Sequence, residues 1–266
     1  MERYKYTLLL LLLLLFSQAA EAKPSIDSLF RAYNMRGSFL AYENVSNTFT
    51  VFYDARCKKA FPPASTFNIV DALMGLEMGI IKDTNYLFKW DGKARDLPAW
   101  DKDMNVSEAL RQSCTPCFQG LEREIGADRV RFFIDKFNYG SNTFDSTFAT
   151  KLDKFWMNGD LTITSYQQIY FLKNLFLNNL NAKKKNIDVI KSMMLIEDKP
   201  EYKIYGNTGT ITDKRGFGWY IGWIEANSKV YFFAMNIDVR DPEKTTFNTE
   251  RKELAKDIFR YMGIIK

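Results

Sequence analysis

The chain of 266 residues contains no histidine. That absence excludes an imidazole general base, a Ser-His-Asp triad and every zinc site that needs an imidazole ligand. Cysteine is scarce, three in all, so a miniprotein stapled by disulfides is excluded as well. Seven prolines and 14 glycines are too few for a linker protein or a collagen-like chain. Charge of one sign is also lacking. The 37 Lys and Arg against 32 Asp and Glu leave +5, spread along the sequence, with no basic stripe to suit a nucleic acid. No Walker-type or GxGxxG loop occurs, and nothing calls for a metal, a nucleotide or another cofactor. What is present is ordinary globular material, 46% hydrophobic and 15% aromatic.

Long hydrophobic runs are absent except at the front. Arg3 and Lys5 precede nine apolar residues, Leu8 to Phe16, and Ala20-Glu21-Ala22 supplies the small-x-small pattern that a signal peptidase cuts. A run of nine is far short of the ~20 residues that span a bilayer. The expectation is a signal peptide over 1–22 and one domain over 23–266. That domain is exported by a bacterium to the periplasm or medium and keeps no stable membrane anchor. Glu2 and Glu21 offset Arg3 and Lys5, so the mature chain retains the +5.

Cys57, Cys114 and Cys117 make an odd count for an exported chain, and the sequence leaves open whether Cys57 pairs. Cys114-Thr115-Pro116-Cys117 has the spacing of a redox motif. Its flanks, VSEALRQ and FQGLEREIG, read as helix rather than as a βαβ unit. The stronger expectation is two small apolar residues sharing a helix face, with a redox pair as the alternative.

Ile26, Leu29, Phe30 and Tyr33 carry helical spacing between Ser25 and Met35. GSFLAY and TFTVFYD then form two strand-like runs joined by the turn-rich ENVSN, which predicts a hairpin. Pro62-Pro63 precedes a helical pattern from Ser65 to Ile81. The stretch from about 84 to 195 reads as mainly helical, with irregular segments near 90–100 and 139–159. Lys183-Lys184-Lys185 reads as a solvated loop between helices. EYKIYGNTGT, FGWYIGWIEA and KVYFFAMNID read as three strands, followed by a last helix over 248–262. Strands at both ends with helices between predict an α+β fold: one antiparallel sheet built from the two termini, flanked by helices, plus a helical lobe.

Four segments in order carry a more specific signal: PASTFNIVDALMGLEMGII, Ser113-Cys114-Thr115, Tyr139-Gly140-Ser141 and YGNTGT. FWMNGDLTIT, GWYIGW, FFAMNID and Arg251 flank them. Together they resemble the motif set of the class D (OXA-type) serine β-lactamases, in the penicillin-recognising superfamily, over nearly the whole mature chain. The resemblance implies a β-lactamase/transpeptidase-like fold and a hydrolase family. It implies Ser65 as the nucleophile, an oxyanion hole from the backbone N–H groups of Ser65 and Thr210, and Ser113 as a proton relay. Substrate contacts would come from residue 207, Thr208, Gly209, Arg251, Trp156 and Tyr139. Read alone, each has a plainer role. Ser65 would be an N-cap, Ser113 an ordinary helix serine, Tyr139-Gly140 a turn, Trp156 a core aromatic and Arg251 a solvated helix charge.

The departures from the pattern matter most. Position 68, one helical turn after Ser65, is where the resemblance implies a carboxylated lysine acting as base in both half-reactions, and here it is Asn68. The Lys-Thr-Gly strand is Asn207-Thr208-Gly209, so a second lysine is lost. No serine in the chain is followed three residues later by lysine, and no Lys-Thr-Gly or Lys-Ser-Gly exists. Thr115 stands in place of a valine and Ser141 in place of an asparagine. An amide neither accepts a proton near neutral pH nor carries a carbamate. Losing a positioned base costs roughly 10²–10⁴-fold in rate, and losing an electrostatic group about 10²–10³ more.

The leading expectation is a protein that binds β-lactams or related cell-wall peptides at Ser65, with hydrolysis weak or absent. The alternatives are an active β-lactamase with a substitute base and a non-catalytic sensor or interaction protein. A redox protein built on Cys114 and Cys117 is the last of them.

Overall fold

Strand β1 (Gly37–Glu43) is buried along its whole length, and its side chains alternate between two cores. Phe39 and Ala41 face one, Leu40 and Tyr42 the other, as the two-residue period of a strand requires. The computed structural model describes residues 25–95, 97–212, 216–239 and 246–266. The expected signal peptide and its cleavage site lie outside the described residues.

β1 pairs with β2 (Thr48–Phe52) in the expected hairpin, Phe39 opposite Phe52. The remaining strands are β3 (Leu87–Phe88), β4 (Met104–Asn105), β5 (Ser141–Asn142), β6 (Leu161–Thr162), β7 (Leu195–Asp198), β8 (Tyr202–Ile211), β9 (Phe217–Ala226) and β10 (Lys229–Asp238). Six of these form one antiparallel sheet in the order β2-β1-β10-β9-β8-β7. The two chain termini therefore meet in the sheet through β1 and β10, with Phe39 opposite Met235. At the centre Gly206 lies opposite Gly222, where an added Cβ would fall 1.9 Å from the Tyr205 carbonyl oxygen. Only glycine fits that approach.

The helices are α1 (Ile26–Ala32), α2 (Asp54–Lys58), α3 (Asn68–Met78), α4 (Val106–Arg111), α5 (Thr115–Ile125) and α6 (Ala127–Lys136). They continue with α7 (Phe155–Asn158), α8 (Ser165–Phe176), α9 (Lys184–Met194) and α10 (Phe247–Tyr261). α1 and α10 cover one face of the sheet, where Phe30, Ile258 and Phe259 meet Phe39, Phe233 and Met235. The lobe of α3 to α9 covers the other, against Leu40, Trp219, Trp223 and Phe232. Each such buried side chain contributes about 1.5–3 kcal/mol of transfer free energy. The α+β prediction holds.

Three local expectations need correction, and one strand falls where none was expected. The pattern from Ser65 opens as a 3-10 turn, Ala64–Phe67, before the α-helix begins at Asn68. Thr66 tightens that turn by donating both its N–H and its hydroxyl to the Pro63 carbonyl. α3 then stops at Gly79, whose φ of 76° forms a left-handed cap. Lys184 and Lys185 are not loop but the first turn of α9, although exposed as expected. The helix begins there because Glu77 accepts from the Lys183 N–H and the Asn186 amide. β7 begins at Leu195, where the run read as helix ends, and falls in a stretch assigned to no element, since four residues are too few to show a period.

Cys114 and Cys117 are joined in a disulfide rather than merely sharing an apolar face. Cys114 is the N-cap of α5 and Cys117 lies in its first turn, which holds their Cα atoms 5.4 Å apart, within bonding range. Cys57 is a free thiol, buried behind β1 and β2. Deeper in the lobe, Asp71 of α3 and Glu122 of α5 are both fully buried. No other described residue donates a hydrogen bond to any of their four carboxyl oxygens.

Candidate ligand-binding site at Ser65

Ser65 sits in the 3-10 turn that feeds α3, between the lobe and the sheet. The residue before it, Ala64, has φ of 50°, and Ser113, which joins α4 to α5, has φ of 51°. Left-handed backbone at a non-glycine residue costs about 1–2 kcal/mol. Both strained positions flank the same cleft. The Ser113 hydroxyl lies 3.5 Å from the Thr208 carbonyl on β8, so the lobe and the strand meet across it.

Gly209 brings β8 against the serine turn. A Cβ there would lie 2.8 Å from the Ser65 nitrogen and 2.9 Å from the Thr66 nitrogen. The Trp219 indole on β9 fixes the turn from below by donating to the Pro62 carbonyl at 2.9 Å. Ser65, Ser113, Thr208, Thr210 and Arg251 line a single cleft of about 740 Å³. The structure thus brings together five of the residues named from sequence.

The two asparagines are placed differently. Asn207 donates its amide to the Ser65 carbonyl at 3.2 Å and accepts from the Thr208 N–H at 2.8 Å. Both ends of its side chain are used inside the protein. Asn68 is buried beneath the cleft, its side-chain nitrogen has no acceptor, and its backbone N–H donates to the same Ser65 carbonyl. Tyr139 and Trp156 do not line the cleft either. Both are buried around Phe67, Tyr139 at 5.5 Å between ring centroids and Trp156 at 6.4 Å. Burial pushes the Tyr139 hydroxyl far above its ordinary pKa, so it stays neutral.

Arg251 is 2% exposed rather than a solvated helix charge. One guanidinium nitrogen lies 3.0 Å from each of three acceptors: the Gly209 carbonyl, the Trp219 carbonyl and the Thr210 hydroxyl. The other donates to Asn248. No carboxylate balances the charge among the described residues, and burial pulls the pKa down to about 9. The group stays protonated at neutral pH and presents positive potential beside Thr208 and Thr210.

Sequence reasoning missed four cleft residues of consequence. Trp100 lies in the segment read as irregular, and its indole donates to the Gln112 carbonyl at 3.2 Å, bracing the wall beside Ser113. Arg111, Phe247 and Lys252 also line the cleft. Nothing in the local pattern marks them, because they reach the site only through the docking of α4 and α10. Chemically, the cleft holds the Ser65 hydroxyl, further hydroxyls and cations. Its described lining contains no carboxylate and no neutral base poised one turn from Ser65.

Comparison with known proteins agrees with this geometry. The penicillin-binding protein transpeptidase domain matches residues 32–260. The chain is 38% identical over 240 residues to β-lactamase OXA-5 of Pseudomonas aeruginosa, covering 89% of this chain and 87% of that one. OXA-10 of the same organism is 36% identical over 240 residues, covering 89% and 88%. Among solved structures, a class D β-lactamase YbXI from Nostoc superposes with a TM-score of 0.85 at 33% identity, covering 91% of this chain and 99% of that one. The chain belongs to the penicillin-binding transpeptidase domain family and is a homologue of the class D β-lactamases.

Proposed function

We propose that the protein binds β-lactams or related cell-wall peptides at Ser65 and turns them over weakly or not at all. One observation carries this reading. The position one turn inside Ser65 is a buried amide, and no carboxylate or imidazole lines the described part of the cleft. A serine hydroxyl without a base is a poor nucleophile at neutral pH, and a deacylating water would lack a base for the same reason.

Binding does not need that base. Thr208 and Thr210 offer hydroxyls on the strand, Ser113 offers a third across the cleft, and Arg251 supplies charge for a ligand carboxylate. Asn207, turned onto the Ser65 backbone, supports the turn and adds no positive charge. The leader over 1–22 would deliver the domain over 23–266 outside the bacterial cytoplasm, where such ligands occur. No helix among the described residues is long and apolar enough to cross a membrane.

The test is intact-mass spectrometry of the mature protein with benzylpenicillin over time, beside calorimetric titration. The expected result is binding with the drug unconsumed, either non-covalently or as a persistent adduct lost in Ser65→Ala. Rapid consumption of the drug through a transient Ser65 adduct overturns the reading in favour of an active hydrolase. No binding by either method removes the ligand class.

A further inference from the structure

Three cationic side chains line the Ser65 cleft, Arg111, Arg251 and Lys252, and no Asp or Glu does so among the described residues. Their neighbours are paired. Lys102 meets Glu108 on the side of Arg111, and Lys256, one turn from Lys252, meets Glu197 and Glu253. Arg251 donates only to neutral oxygens, and neither Arg111 nor Lys252 enters an ion pair among the described residues.

The three cations are not in one place. Arg111 is the last residue of α4, two before Ser113, and belongs to the lobe. Arg251 and Lys252 stand on α10, behind β8. Ser65 lies between these two sides. Lys252 is half-buried, and burial, with Arg251 and Lys256 nearby, holds its amine below the ordinary lysine value. A bound anion would relieve that repulsion. Because Asn207 is turned away from the cleft, Lys252 is the second positive charge on the strand side among the described residues.

We propose that the cleft recognises a dianion, one carboxylate on the strand side at Thr208, Thr210, Arg251 and Lys252, and a second acidic group on the lobe side at Arg111. Lys252 takes the electrostatic place that residue 207 has lost, and Arg111 selects ligands with an acidic side group. This deepens the reading of the Ser65 cleft as the ligand site and rests on it.

Benzylpenicillin and carbenicillin differ by one carboxylate and serve as the matched probes, titrated calorimetrically against the mature protein. Tighter binding of carbenicillin by about twofold to fivefold is expected, the range of an exposed ion pair, shrinking as salt is raised. Arg111→Gln should bring the ratio of the two affinities to about one. Lys252→Gln should weaken both ligands and preserve the ratio. Equal affinities in the native protein, or a ratio that survives Arg111→Gln, overturns the inference. Adipate and hexanoate form a second matched pair without a lactam, followed by NMR titration. If neither penicillin binds but adipate is preferred and Arg111→Gln removes the preference, the dianion inference stands and the β-lactam reading falls. No preference in either pair overturns the dianion inference.

Discussion

Replacing Asp71 by Asn and Glu122 by Gln together should flatten the pH dependence of stability near neutrality. The two carboxyls are fully buried between α3 and α5, and no other described residue donates to their four oxygens. The only hydrogen that can lie between them is their own. Burial raises both pKa values well above the ordinary range, and at Glu122 the Asp71 charge raises it further. Asp153 adds to that rise at Glu122, Arg123 opposes it, and the neutral Tyr139 lies beside Asp71.

The unfolded carboxyls ionise near pH 4. Above that pH the native state therefore holds more protons than the unfolded state, and stability falls as pH rises. The loss is about 1.4 kcal/mol per pH unit for each proton retained. The loss continues for as long as a proton is retained and ends once the pH passes the folded pKa values. The window is clean because the chain has no histidine. Glu43 and Asp145, each held at about 2 mainly by hydrogen bonds from Ser46 and Thr147, have finished titrating below it. Urea denaturation at pH 5.5, 6.5 and 7.5 reads the slope directly. Two amides can bond to each other without titrating, so the double variant should lose most of the slope. A native protein with flat stability, or a double variant that keeps the native slope, would refute the reasoning.

Thiol titration in denaturant without reductant should find one thiol per chain, Cys57, because Cys114 and Cys117 are bonded; three thiols would contradict the fold of the α5 start. Removing that disulfide with a Cys114→Ser/Cys117→Ser pair should cost about 2 kcal/mol in a denaturation curve, the small loop-closure value for so short a loop. Gly209→Ala forces a Cβ to 2.8 Å from the Ser65 nitrogen, so it should cost about 1–3 kcal/mol of stability and abolish penicillin binding in calorimetry. Asn68→Lys with Asn207→Lys should raise penicillin hydrolysis, followed spectrophotometrically, by at least about 10²; an unchanged rate would mean that the two amides are not what limits turnover.

Much of the fold is legible because its elements repeat a period. β1 and β10 are short apolar runs rich in aromatic residues, α10 carries Leu254, Ile258 and Phe259 on one face, and ENVSN marks the hairpin between β1 and β2. The motif order around Ser65, Ser113 and Thr208 is equally plain in one dimension. β7 escaped notice because it is four residues long. The disulfide escaped because CxxC at a helix start is compatible with thiols, a bond or a simple apolar face. Tyr139 and Trp156 were assigned to ligand contact by motif, whereas packing around Phe67 places them beneath the cleft.

The sequence by itself determined the α+β layout, the family, the serine and the loss of both lysines, since each depends on residue type and spacing along the chain. Only the tertiary structure decided where the two asparagines point, that Arg251 is buried with no acid paired to it among the described residues, and that Arg111 and Lys252 share the cleft with it. Those facts depend on contacts between segments as far apart as positions 65, 111, 207 and 252, which no local period encodes. Which side chain faces a ligand and which faces the core is settled only when the sheet, the lobe and α10 close on one another.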